Sequence, residues 1–389
     1  MNVYEDLAKV FTEMQQTRRY LHMHPELSFQ EQQTAAFIAA QYDALGIPYE
    51  TNVGGGYGIV ARVTGAKPGK VVALRADFDA LPIQDQKDVP YRSQVDNVSH
   101  ACGHDGHTAM LLAIARVLKQ HEATLAGEYV LIHQPAEEHP PGGAKDMIEA
   151  GCLDGVDVIF TTHLWSLFES GHVYVAKGPI MAAASNFDMT ITGAGGHGGA
   201  PHTSIDAISL SATVISQLQQ IVARRLDPLA PAVLSIGAIQ AGETYNIIAE
   251  QAHIKGTVRA FDTTVRDQIY EEIDRVLKGI CFSANADYTF HMIDGYPPVV
   301  NDDEYAAFLY DVAQTIPAVK GHHWVAPMMI GEDFAYYLER VPGVFFLTGA
   351  KPINGEPYPH HHAKFDFDER AMLTGAQTLL GAALAYQQQ

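Results

Sequence analysis

Four short segments of this chain crowd together side chains that bind metal ions and move protons. SHACGHDGHT (99–108) sets Cys102, His104, Asp105 and His107 within six positions, immediately before a stretch with helical spacing. Cys102 and His104 are two apart, so a loop or extended backbone is needed to turn both toward one ion. A helix N-terminus and a metal would each lower the thiol pKa. The competing account is a buried cysteine beside a helix-capping Asp105. HQPAEEHPPGG (133–143) follows the apolar run EYVLI and carries adjacent Glu137 and Glu138. In extended chain, adjacent side chains point to opposite faces, leaving one carboxylate for a metal and the other for water or substrate. That division suits metal-assisted hydrolysis, where a ligand and a separate proton acceptor are both needed. The plainer account is an acidic surface loop. FTTHLWS (160–166) ends an apolar run on His163, and YPHHHAKFDFDE (358–369) offers consecutive histidines at 360–362. Each of these, taken singly, is also at home as a structural or solvated histidine. LRADFDALP (74–82) adds Asp77 and Asp79 behind the run VVAL, where they can orient ligand histidines. Asp79 could equally be a turn residue ahead of Pro82. Together the segments supply Cys, His, Glu, His and His, about what a pair of ions sharing a bridging ligand requires besides water.

These segments lie just after an apolar strand or just before a helix, the crevice where open α/β sheets bind ligands. Apolar spacing predicts a helix over 3–22, broken at Pro25, and a second over about 30–45 that stops at Gly46. Buried-type runs at 57–63, 70–76, 128–134 and 156–163, with a helical stretch at 107–121, predict a largely parallel sheet. The texture changes near Ser185. NFDMTIT alternates apolar and polar residues, as in a half-exposed strand. A helix (205–225), two strands, a helix (264–280) and a strand (287–293) follow, in the order βαββαβ of a split-βαβ, ferredoxin-like unit. The buried α/β texture resumes after GYPPVV, with a helix near 303–315 and a strand at 344–349. The expected fold class is therefore α/β. A mainly parallel-sheet catalytic domain (1–184 plus 296–389) would carry an inserted ferredoxin-like βαββαβ domain (185–295).

Composition narrows the partners. The chain has 389 residues, with 25 Lys and Arg against 45 Asp and Glu, for a net charge of −20. That charge argues against nucleic acid and anionic membranes, which need basic patches. No apolar run approaches the roughly 18–20 residues of a membrane span. MNVYEDLAKV lacks the basic-then-apolar pattern of a secretory signal. Cys102, Cys152 and Cys281 are too few for a disulfide framework. The expectation is a cytoplasmic protein. Gly193, Gly195 and Gly198 spell G-x-G-x-x-G after a strand, which keeps a dinucleotide-binding oxidoreductase as a remote alternative. Pro201 would delay the helix that such a site requires.

The sequence resembles the dinuclear metallo-amidohydrolases that include aminoacylases, glutamate carboxypeptidases and auxin–amino acid hydrolases. It is most similar to the branch of hippurate hydrolases, auxin-conjugate hydrolases and N-acetyldiaminopimelate deacetylases. The matching runs are RRYLHMHPELSFQE, ALRADFDALP, SHACGHDGHTAMLL, QPAEE, TTHLW, GGHGGAPH, MIGEDFAYY and HHHAKFDFDE, in order along nearly the whole chain. The resemblance implies that Cys102 bridges two divalent ions (Mn, Zn, Co or Ni). His104 and Glu138 would complete one site, and His163 and His361 the other. The His361 assignment follows an H-x-P-x-F pattern four residues before Phe365, from which this chain departs with Ala363 in place of proline. Other branches carry a ligand histidine where this chain has Asp77, so CGHDGH supplies the replacement. Glu137 would be the general base. The inserted domain would serve dimerisation or act as a lid, making a homodimer. Its His197 would reach a substrate carbonyl across that dimer, with His202 also assigned to substrate binding. Asn246 and Arg259 would bind the substrate's free carboxylate, unless they are a turn asparagine and a strand-edge arginine. The implied reaction is metal-dependent hydrolysis of an N-acyl amino acid to a carboxylate and an amino acid. Dipeptidase, carboxypeptidase or N-acetyldiaminopimelate deacetylase action are its neighbours.

Overall fold

The computed structural model describes residues 2–389. It divides into two compact units. The first runs to Ile180 and resumes over Val300–Ala326 and Asp333–Gln389; the second holds Met181–Val299 and Pro327–Glu332.

The first unit is built on an eight-stranded sheet. Four central strands, Ala126–Gln134, Lys67–Asp77, Val158–Trp165 and Gly343–Gly349, are mutually parallel. Gly58–Thr64 and Tyr49–Val53 extend one side antiparallel. On the other side His172–Val175 runs antiparallel to Gly343–Gly349, and Gly321–Trp324 lies parallel to it. The central strands are apolar without alternation because both faces are covered; every residue of Val158–Trp165 is buried. The helices His104–His121 and Ala371–Tyr386 pack on each other and on central strands. Leu74, Leu131, Phe160 and Phe346 share this core with Ile114 and Leu380. The mixed α/β class with a mainly parallel sheet is as the sequence predicts. Local differences have local causes. The helix expected over 3–22 is two, Val3–Lys9 and Phe11–Met23, separated at Val10. The helix expected from 107 begins at His104, because Gly103 (φ 98°) turns the chain from Cys102 directly into it. Gly46, left-handed at φ 63°, closes Gln32–Leu45 as its pattern predicts.

In the second unit, strands Ala183–Thr192, Ala232–Ala241, Gln251–Ala260 and Asp287–Asp294 form one antiparallel sheet with helices Ala207–Arg224 and Thr263–Ala284. Phe187, Met189 and Ile191 alternate into a core with Val214, Leu218, Ile273 and Leu277. The spatial order places the first and third strands at the centre, the arrangement of a split-βαβ unit. This topology overturns the dinucleotide alternative. The strand before Gly193 sits in an antiparallel sheet, and the next α-helix begins only at Ala207. Its first N–H groups, at Ile208 and Ser209, are taken by the Asp206 side chain. A carboxylate there repels the pyrophosphate such a helix would have to hold.

Candidate metal centre

The carboxyl ends of the parallel strands and the loops beyond them carry the candidate ligands. Asp77 ends its strand, and Glu137 follows Gln134 by three positions. His163 is third from the end of Val158–Trp165, and His361 lies in the loop beyond Gly349. Cys102 and His104 flank Gly103 at the start of the helix His104–His121.

These segments converge. Cys102 Sγ lies 3.5 Å from His163 Nε2. His104 Nε2 is 3.8 Å from Glu138 Oε1, 4.0 Å from Glu137 Oε2 and 3.9 Å from Asp77 Oδ2. His361 Nε2 is 3.2 Å from Glu138 Oε2. Cys102 groups with His104 and His163 on one side and with Glu138 and His361 on the other, ligand atoms within 4.8 Å in each set. Hydrogen bonds orient the rings. His104 Nδ1 faces the Asp79 carbonyl and carboxylate at 3.1 and 3.0 Å, which directs Nε2 toward Glu138. His163 Nδ1 faces the Leu164 carbonyl at 3.0 Å, leaving Nε2 toward Cys102. Asp77 and Asp79 thus both brace histidines, Asp77 through His107 Nδ1 at 2.6 Å.

Adjacent Glu137 and Glu138 do not diverge as extended chain would require. Both reach the same edge of His104, because Ala136 is left-handed (φ 56°) and the chain there turns. The run of histidines is also resolved. His360 is packed against Trp165 at 4.2 Å and bonded to the Leu164 carbonyl, while His361 faces Glu138. His107 has both nitrogens engaged, with Nε2 accepting the Leu164 N–H at 2.9 Å, so it acts as a brace between strands.

The charge balance of this cluster is that of a cation site. Burial opposes charge on His104, but Asp77, Asp79 and Glu138 outweigh it and bring the ring up to about 10. Burial, then Glu138, Glu137 and Asp77, push the Cys102 thiol well above its ordinary range. A hydrogen bond to Glu138 raises His361 against its burial. Burial, with His107 and His360 nearby, drives His163 well down, so it stays neutral. His104 Nε2 and Glu138 Oε1 are buried and have no hydrogen-bond partner, although they face each other. Such atoms are costly unless something fills the gap. A divalent ion fits: it takes a neutral imidazole nitrogen, a carboxylate oxygen and a thiolate, and its charge offsets the surrounding carboxylates.

Sequence reading missed the struts behind the ligands. Arg18, fully buried, bonds Asp105 at 2.8 Å, Asp366 at 2.9 Å and Glu369 at 3.3 Å. It ties the CGHDGH turn to the segment that follows His361. Arg75 holds Asp77 at 2.5 Å and Asp333 at 2.9 Å. The available signal was an arginine inside an otherwise apolar strand.

The remaining candidates belong to the second unit. His197 pairs with Ile247 on a two-stranded ribbon, and His197, Asn246 and Glu250 line one concavity of about 650 Å³. His202, exposed, lies in the short 3₁₀ turn Pro201–Thr203. Arg259 is elsewhere. It pairs with Ala184 at the opposite end of the sheet from Thr192 and Gln251, and donates to the Ser185 and Val258 carbonyls at 3.3 and 3.0 Å. Along the strand from Gln251 to Arg259 the separation is about 27 Å at ~3.4 Å per residue.

Residues 73–385 match the family model described as peptidase family M20/M25/M40. A Bacillus subtilis protein bearing the name of an amidohydrolase is 51% identical over 387 residues, 99% of this chain and 98% of the relative. An N-acyl-L-amino acid amidohydrolase of Geobacillus stearothermophilus is 46% identical over 301 residues, 76% of this chain and 80% of the relative. A solved Bacillus subtilis structure, described as a dinuclear metal-binding peptidase of family M20, has a TM-score of 0.86 at 35% identity. That match covers 98% of this chain and 99% of the other.

Proposed function

The chain belongs to peptidase family M20/M25/M40 and is a metal-dependent hydrolase of amide bonds; on that premise we propose that it converts N-acyl amino acids to a carboxylate and a free amino acid. The observation that carries the site assignment is the facing pair of unpartnered buried atoms, His104 Nε2 and Glu138 Oε1, beside Cys102. With Cys102 shared, His104 and His163 would hold one ion, and Glu138 and His361 the other, which replaces the pairing the resemblance implied. Mn(II), Zn(II), Co(II) and Ni(II) all suit a donor set of thiolate, imidazole and carboxylate, so availability decides among them. When bound, the ions supply Lewis acidity to the scissile carbonyl and to water.

Glu137 is the base in this reading. It takes a proton from the attacking water and returns it to the leaving amine. Its 4.0 Å approach to His104 places its carboxylate beside the ligands. His197 donates to the oxygen that becomes negative in the transition state, a role worth about 3–4 kcal/mol in other hydrolases. Arg259 and Asn246 bind the free carboxylate of the substrate, and His202 contributes to the same binding. The separation of His197 and Asn246 from Arg259 within the second unit favours sharing between chains, with a second copy supplying part of each site. A homodimer through the second unit is therefore part of the proposal. Among the described residues, no helix is long and apolar enough to cross a membrane.

The test is Glu137→Gln assayed on N-acetyl amino acids, with metal content measured in parallel. The expected variant keeps its metal and loses at least about 100-fold in kcat. Wild-type turnover in that variant sinks the base assignment.

A further inference from the structure

Two non-glycine residues at the site are left-handed, His361 (φ 63°) and Ala136, and Ala136 adjoins the two glutamates. This fully buried residue has φ 56°, a conformation that L side chains rarely adopt. It is also the turn that brings Glu137 and Glu138 to the same imidazole edge. Three hydrogen bonds hold it. The Gly143 N–H donates to the Ala136 carbonyl at 3.2 Å, and the Glu138 N–H donates to Asp79 Oδ2 at 2.9 Å. The Ala136 N–H itself donates to Glu31 Oε1 at 2.8 Å, from a residue 105 positions away.

Glu31 has no simpler task. It is fully buried and precedes the helix Gln32–Leu45, yet its side chain makes no capping bond. It forms no ion pair among the described residues, and its second oxygen, Oε2, is buried without a partner. Burial and the neighbouring Asp79 push its carboxyl up to about 7, and Oε1 can accept the Ala136 N–H in either protonation state. Ser28, three residues earlier, donates to Asp79 at 2.7 Å, so the HPELSFQE segment braces the turn on both sides of Glu137, directly at the Ala136 N–H and through Asp79 at the Glu138 N–H.

We propose that Glu31 is a positioning residue for hydrolysis: it fixes the Ala136 peptide in its left-handed conformation and thereby aims Glu137 at the water it deprotonates. The inference rests on the reading of Glu137 as base. Glu31→Ala is expected to lower kcat about 10–100-fold with KM within about twofold, because a misplaced base affects the transition state and not binding. Metal content stays at the wild-type level. Glu31→Gln keeps an acceptor for the Ala136 N–H and is expected to remain within about threefold of wild type. Adding Ala136→Gly to Glu31→Ala should recover most of the loss, because glycine adopts positive φ without a steric penalty.

Glu137→Gln is assayed beside them. Wild-type turnover in Glu137→Gln removes the base reading and this inference with it. Wild-type kcat in folded, metal-loaded Glu31→Ala beside an inactive Glu137→Gln overturns this inference alone. So does a Gln variant as slow as the Ala variant, or a double variant with no recovery. If Glu31→Ala does not fold, the Glu31→Ala/Ala136→Gly chain carries the test: folded and active in support, folded and inactive against.

Discussion

Loading the metal-free protein with divalent ions is expected to expel protons, and the site fixes how many. A metal takes an imidazole nitrogen or a thiolate only after the proton has left. In the metal-free site burial opposes a charged His104, but Asp77, Asp79 and Glu138 raise it to about 10, so the ring is protonated near neutrality. Cys102, pushed up by burial and by Glu138, is a thiol there as well. Release is therefore about two protons per chain at about pH 7.5, with a fractional contribution from His361, which Glu138 raises. Displacing the His104 proton at that pH costs on the order of 3 kcal/mol, from a gap of roughly two to three pH units. The sign follows: the penalty shrinks as pH rises and vanishes near the raised value. Apparent affinity for Mn(II) should thus climb about tenfold per pH unit for each proton displaced. Calorimetric titration in two buffers of different protonation enthalpy, at about pH 6.5, 7.5 and 8.5, counts the protons directly. His104→Ala and Cys102→Ser should each remove about one from the count. Ion uptake without proton release, or release that neither substitution changes, refutes the charge balance argued for this site.

Two further outcomes test the frame and the assembly. Arg18→Met removes the partner of three carboxylates, Asp105, Asp366 and Glu369. Breaking a buried pair in this way costs about 3–5 kcal/mol, to be read from urea unfolding; a loss under about 1 kcal/mol would show that these carboxylates are relieved by other means. His197→Ala and Glu137→Gln chains, each nearly inactive, should regain about a quarter of wild-type activity when mixed equally and allowed to exchange, because one heterodimer site in two is intact. No recovery in exchanged mixtures, confirmed by mass, would place His197 in its own chain's site or outside the reaction.

Much of this was legible along the chain because it depends on neighbours in sequence. Helical spacing located His104–His121, and unbroken apolar runs located the strands covered on both faces. Alternation in NFDMTIT identified a one-sided sheet, and its core residues Phe187, Met189 and Ile191 are those the alternation points inward. The density of Cys, His and carboxylate side chains at strand ends singled out the segments that converge at the candidate metal centre.

Tertiary structure alone decided the rest, because those facts depend on pairs far apart in sequence or on a single dihedral angle. Extended geometry sends Glu137 and Glu138 apart; one left-handed residue, held by a carboxyl 105 positions away, brings them together. Which of three consecutive histidines faces the site was settled by Trp165 and the Leu164 carbonyl, which bury His360 and leave His361 to Glu138. The link from Arg18 to Asp366 spans 348 positions and leaves no periodic trace. The placement of Arg259 at the far end of the sheet from Thr192 and Gln251 follows from strand register, which long-range pairing sets. Residue types and their local period determined what chemistry this chain can do and on what class of scaffold. Only the convergence of distant segments determined which atoms meet to do it.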